Sequence, residues 1–155
     1  MRRKDREITS YDKMLEIMQS CDCCRIGLKD KDGVYILPLN FGYEEKSGKL
    51  TLYFHGASEG KKIDLIKQQN TASFEMDTKH QLVEADVACS YSYLYQSIMG
   101  KGKISLVDDP EEKINGLECV MLHYSNNNTW KFNEEVLKRV AVIKIEVTEW
   151  SCKEH

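Results

Sequence analysis

Apolar residues recur along this chain mostly at every second position, in short runs bounded by glycine and acidic turns. That period marks half-buried strands. Cys24 to Lys29 reads as a first strand, with turn chemistry at Asp30-Lys31-Asp32-Gly33. Val34 to Tyr43 reads as a second, and Pro38 within it marks an edge or a bulge, since proline gives no N–H to a ladder. Ser47-Gly48 turns the chain into a third strand, Leu50 to His55. Thr71 to Asp77 is a fourth. Tyr91 to Val107 is one long strand or two, bent near Gly100 and Gly102. Val140 to Glu149 alternates cleanly and closes the set. Residues 78–90 carry no clear period.

Helical spacing appears in three places. Met14, Leu15, Ile17 and Met18 place a helix over Thr9 to Ser20, with Thr9 or Ser10 as its cap. Ile63, Leu65 and Ile66 place a short one over Lys61 to Gln69. Asp109-Pro110-Glu111-Glu112 is a helix start with an acidic cap and a proline at the first position. The loop 126–128 is rich in Asn. Hairpin order without a repeated βαβ rhythm excludes a doubly wound sheet. The expectation is a mainly β single domain over residues 1–155: a six- to seven-stranded antiparallel split barrel with a few short peripheral helices. Closing the sheet removes unpaired edges.

Composition changes this picture little. Hydrophobic residues make up 41% and charged residues 30%, ordinary for a globular chain of 155 residues. A chain of that length buries roughly 70% of its unfolded surface and needs no staple. The net charge of −3 argues against nucleic acid as a partner, because phosphate neutralisation needs surplus cations. No apolar run approaches the roughly 18 residues of a membrane helix. The start is charged and no leader-like apolar run follows it, so a cytoplasmic setting with reduced thiols is expected for the six cysteines. Cys21, Cys23 and Cys24 lack the spacing of a zinc site, and no metal is expected.

Candidate chemistry concentrates around Tyr53 to Lys62. A strand ends at His55, Gly56 and Gly60 allow close backbone approach, and Lys61 and Lys62 open a helix. Free amides, helix dipole and ammonium groups suit one small anion, such as a monophosphate. A solvated helix start is the competing reading. Ser58 is a further cap or hydroxyl donor. Asn40, in an apolar strand beside Pro38 and Leu39, needs partners for its amide. Neighbouring backbone and the edge of a flavin ring both qualify. Tyr93, Tyr95, Gln96 and Ser97 form a third cluster, either packing with wet hydroxyls or flanking a ring and its polar tail. No nucleophile elbow is present. His80 and His123 read as surface or satisfied residues, and His155 as a disordered end.

Several segments, in order, resemble the nitroimidazole-resistance (Nim) proteins. They are Met1 to Ile8, Leu37-Pro38-Leu39-Asn40-Phe41, Tyr53-Phe54-His55-Gly56 with Glu59-Gly60-Lys61-Lys62, Tyr95 to Gly102, and Asp109 to Lys113. The resemblance implies the pyridoxamine 5'-phosphate oxidase-like split barrel, with FMN held between the subunits of a homodimer. It implies that Lys61 and Lys62 hold the FMN phosphate, helped by Ser97 or Gln96, and that Pro38, Leu39 and Asn40 line the ring. It further implies that Gly56 and His55 sit beside the cofactor, with His55 the active-site residue. The basic substrate motif of true pyridoxamine-phosphate oxidases is missing from Glu149 to His155, so that activity is not expected. The resemblance thus implies an FMN-dependent reductase acting on a small acceptor such as a nitroaromatic. A non-catalytic flavin- or haem-binding barrel is the alternative.

Overall fold

The computed structural model describes residues 3–125, 127 and 129–155. Met1 and Arg2 of the N-terminal signature, and Asn126 and Asn128 of the Asn-rich loop, lie outside the described residues. Strands β1 (Glu7–Ile8), β2 (Cys24–Asp30), β3 (Gly33–Leu39), β4 (Phe41–Lys46), β5 (Lys49–Ala57), β6 (Thr71–Val83), β7 (Ser92–Leu106) and β8 (Val140–Glu154) form one antiparallel sheet. Helices α1 (Tyr11–Gln19), α2 (Lys61–Gln68), α3 (Pro110–Tyr124) and α4 (Glu134–Arg139) pack around it. Short 3-10 turns occupy Lys4–Arg6 and Ala88–Ser90.

The strand order is β3-β2-β6-β7-β8-β5-β4, with β1 added to β8. This is a mainly β fold consistent with a split barrel, but it has eight strands rather than six or seven. Two differences produce the count. The two-residue β1 is too short to show a period. The expected strand Val34 to Tyr43 is two strands, parted at Asn40. Among the described residues no ladder joins β3 to β4, so the sheet is open at that seam. Pro38 does lie on an edge strand, where its missing N–H costs nothing.

The two longest strands, β7 and β8, form the spine. Their register shifts between Lys101 and Gly102, the bend expected from the glycines. A Cβ on Gly102 would stand 2.3 Å from the Glu146 carbonyl oxygen, so only glycine allows this approach. The core fills the inner face, with Phe41, Leu52, Phe54, Met76, Ile98, Ile143 and Ile145 fully buried under Ile17 and Met18 of α1 and Ile63 of α2. A second cluster, Tyr53, Val107, Cys119, Val120 and Val142, seats α3 on β5 and β8.

Caps follow the sequence unevenly. The Asp109 carboxylate accepts the Glu112 amide at 2.8 Å, with Pro110 first in α3. Ser10 occupies the cap of α1 without a side-chain bond. Gly60, not Ser58, caps α2, at φ 105°. Helix α4 has no buried residue and hence no apolar stripe to read; its Asn133 cap accepts the Glu135 and Val136 amides. Residues 78–83 extend β6 past a register shift between Thr78 and Gln81, where Lys79 has φ 54°. No period was visible there because residues 79–84 are all exposed. His155 is not disordered: its backbone exchanges two hydrogen bonds with Tyr95, and its Nε2 lies 2.7 Å from the Ser92 hydroxyl.

Candidate functional site

The anion corner begins where β5 ends. Three exposed residues after Ala57 turn the chain into α2, whose first two amides, Lys61 and Lys62, have no helical carbonyl to bind. A Cβ on Gly56 would stand 2.4 Å from the Lys62 Nζ, so the ammonium lies directly on the glycine backbone. Lys61 points elsewhere. Its Nζ pairs with Asp30 at 2.6 Å and sits 4.8 Å from the centre of the Tyr35 ring. The two lysines therefore diverge, and one of them already has an anionic partner.

The seam residues come to the same corner. Phe41 pairs with Phe54, so Asn40, one residue earlier, runs alongside His55. Asn40 and His55 are exposed, as is Pro38, while Leu39 is half-buried. Asn40 is thus not enclosed in an apolar strand; it is the single-residue link from β3 to β4. Beside it stands the Tyr124 hydroxyl at the end of α3, which burial and Asn40 hydrogen bonding act on in opposite directions, burial prevailing to raise the phenol pKa. That hydroxyl also donates to the Asp22 carbonyl at 2.8 Å and accepts the Phe41 amide at 3.2 Å.

Tyr95 and Ser97 lie on a separate patch, and Gln96 between them faces the opposite side of the sheet. Gly56 pairs with Ala141 and His55 with Val142, whereas Ser97 pairs with Lys153 and Gln96 with Glu154. From position 142 to 153 is on the order of 35 Å along an extended strand. The patches are far apart along β8, yet the Pro38–Arg25, Arg25–Glu75 and Glu75–Met99 pairs bring the seam within about 15 Å of Met99 across the sheet. Gln96 and Ser97 are the two buried polar residues of the structure, apart from the half-buried ones. Gln96 Nε2 donates to the Glu154 carboxylate, but Gln96 Oε1 and Ser97 Oγ have no partner among the described residues. Such atoms are costly unless a ligand or water satisfies them.

Ser97 lies on the floor of a cleft of about 360 Å³, lined also by Glu75, Asp77, His80, Tyr93, Tyr95, Met99 and Lys153. None of residues 38–62 reaches it. The Lys153 ammonium stands 5.2 Å from the centre of the Tyr95 ring. Hydrogen bonding from Lys153, then from Arg6, holds the Tyr95 phenol below its ordinary pKa. Arg25 donates to Asp77 at 2.6 Å and to Glu75 at 3.1 Å. The Asp77 carboxylate also lies 3.0 Å from His80 Nε2. Sequence reasoning did not single out Asp77 or Lys153 and took His80 for a surface or satisfied residue. They come together only through strand register, and nothing local marks them.

The cysteines are unpaired, and four of them, Cys21, Cys24, Cys119 and Cys152, are buried. Burial pushes the Cys21 thiol up to about 12 and those of Cys119 and Cys152 to about 11. Among the described residues no cluster of three metal-ligating side chains forms, and no helix is long and apolar enough to cross a membrane.

Comparison with known proteins gives these observations a family. The model of pyridoxamine 5'-phosphate oxidase matches residues 10–154. The crystal structure of a candidate 5-nitroimidazole antibiotic resistance protein from Bacteroides thetaiotaomicron is 32% identical, with a TM-score of 0.82 over 96% of this chain and 86% of that one. The flavocytochrome Anf3 from Azotobacter vinelandii shares the fold at 18% identity and a TM-score of 0.81, over 100% of this chain and 72% of that one. So does an FAD- and haem-binding protein from Mycobacterium smegmatis, at 15% identity and a TM-score of 0.79, over 96% and 73%. No curated protein sequence matches the chain. With a family model spanning almost its whole length, the chain belongs to the pyridoxamine 5'-phosphate oxidase family and resembles its nitroimidazole-resistance (Nim) members.

Proposed function

We propose that this protein is an FMN-dependent reductase that passes electrons to a small acceptor such as a nitroaromatic. In this reading it acts as a homodimer, with FMN lying across the subunit interface. The observation that carries the reading is the buried, unpartnered Ser97 hydroxyl, on a cleft apart from the Lys62 corner. A ligand lying between two copies draws on one patch from each. The flavin-binding relatives named above support the fold of such a site.

The residues fit the group. Lys62 on Gly56 and the free amides of α2 suit the phosphate, and Lys61 joins them on leaving Asp30. Pro38, Leu39 and Asn40 line the ring from the seam. Tyr95 and Ser97 of the second copy supply an aromatic wall and a hydroxyl, while Gln96 between them faces the other side of the sheet. Bound FMN supplies the electron transfer itself. His55, exposed beside this corner, holds a proton on an imidazole nitrogen for delivery to the acceptor.

The test is the absorption spectrum of the purified protein together with its mass in solution. A flavin band and a dimer mass are expected, and Lys62→Ala lowers FMN affinity about tenfold or more. Lys61→Ala has the smaller effect, because that ammonium is already paired. A colourless protein that takes up no FMN overturns the reading, and a Soret band in its place assigns the barrel to haem.

A further inference from the structure

The outer face of the sheet carries a slot with two chemically opposite ends. Strand register places Asp77, Ser97 and Lys153 in one row across β6, β7 and β8. Two strand spacings put the ends of that row about 10 Å apart. Along β7, Tyr95 and Met99 stand two residues either side of Ser97, on the same face of the strand. The small serine is thus the floor, the two large side chains are the walls, and a carboxylate and an ammonium are the ends. Tyr93, stacked on His80 with ring centres 5.9 Å apart, extends the aromatic lining.

Each part is held in place. Arg25 and His80 fix Asp77 from two sides, and a carboxylate has lone pairs left for a third donor. Lys153 has no carboxylate within ion-pair distance among the described residues and lies against Tyr95. Ser97 is more than nine-tenths buried, and its hydroxyl has no protein partner.

We propose that this slot binds a flat ring that bears an N–H donor at one end and an anionic oxygen at the other. The donor meets Asp77, the anionic oxygen meets Lys153, and the Ser97 hydroxyl bonds the ring's polar edge between them. An acceptor molecule or the ring of the cofactor can offer that chemistry. The inference deepens the reading of the Tyr95–Ser97 patch given above, and its recognition residues Asp77 and Lys153 are additional to it.

The experiment titrates the protein as purified with 4-aminobenzoate, benzoate and aniline, followed by calorimetry. 4-Aminobenzoate carries both groups at about the right separation and is expected to bind tightest. Benzoate loses the Asp77 contact and aniline the Lys153 contact, each by about tenfold. Lys153→Met abolishes the preference for 4-aminobenzoate over aniline, and Asp77→Asn its preference over benzoate. Thermal melts of both variants show that the barrel is intact. Probe binding to the flavin-loaded protein assigns the slot to an acceptor, and binding only after the flavin is removed, with competition by added FMN, assigns it to the cofactor ring; either result supports the slot. Equal affinity for the three probes, no binding in the millimolar range with or without flavin, or variants that bind like the parent overturns it. The flavin band of the same samples reports the cofactor separately, so a colourless protein that still discriminates the probes sinks only the flavin reading.

Discussion

The ammonium of Lys62 occupies the place where a side chain on Gly56 would begin: a Cβ there would stand 2.4 Å from Nζ and 2.8 Å from Cε. This contact ties the end of β5 to the first turn of α2. It also leaves a cation and two free amides on one side of the turn. A glycine at 56 is needed for the lysine, since its own backbone torsion is not left-handed.

Gly56→Ala therefore separates binding from folding. The atom in the way is the far end of a flexible side chain, which swings out at little cost. Stability in urea is expected to change by less than about 1 kcal/mol. Affinity for FMN, measured by flavin fluorescence quenching, is expected to fall about tenfold as the cation is displaced. Unchanged affinity shows that Lys62 does not hold the phosphate.

Gly42→Ala has the opposite signature. A Cβ there would stand 2.2 Å from the Cys119 carbonyl carbon and 2.3 Å from the Val120 nitrogen, in the backbone of α3. A helix backbone cannot move aside like a lysine tip. The variant is expected to lose about 2–3 kcal/mol or more in urea denaturation. A loss below about 0.5 kcal/mol contradicts the tight seating of α3 on β4.

His123 makes stability pH-dependent. Its Nε2–H donates to the Cys21 carbonyl at 2.8 Å, and its buried Nδ1 has no partner among the described residues. Burial against Phe41 and Tyr43 favours the neutral ring and holds its pKa below the ordinary 6.5. The unfolded chain therefore binds the proton first. The stabilising contribution is complete above about pH 6.5 and is lost as pH falls through the lower folded value. Urea midpoints between pH 8 and 5 are expected to decline less in His123→Gln than in the parent. Parallel declines assign the acid sensitivity to other groups.

The thiols divide by burial. Cys89 is exposed and Cys23 half-buried, whereas Cys21, Cys24, Cys119 and Cys152 are buried. A thiol reagent needs an accessible thiolate. Titration of the native protein is expected to label Cys89 first and Cys23 more slowly, with the remaining four reacting only on unfolding. Prompt labelling of Cys21 or Cys24 contradicts the burial of both thiols in the main core.

Legibility followed local physics. Strand β2 was readable because one face of it is buried, which imposes the period of two, and β5 and β8 keep that period apart from Tyr53 and Val142, which α3 buries on their second face. The start of α3 was readable because Asp109 and Pro110 act on their own next turn. The far end of β6 was not, since its residues are exposed on both faces and lack a pattern. Asn40 misled for a related reason. Apolar neighbours on both sides suggest enclosure, yet the chain leaves one edge of the sheet and enters the other at that residue.

The order of residues alone determined the β character, the hairpin turns, the edge position of Pro38 and the run of polar and glycine residues from His55 to Lys62. Each depends on interactions within a few positions. Only the folded chain decided that Lys61 turns to Asp30 while Lys62 lies on Gly56, and that Asp77, Ser97 and Lys153 share one row. Those relations are set by pairing between strands distant in sequence, and a shift of one residue in register would turn every side chain to the opposite face.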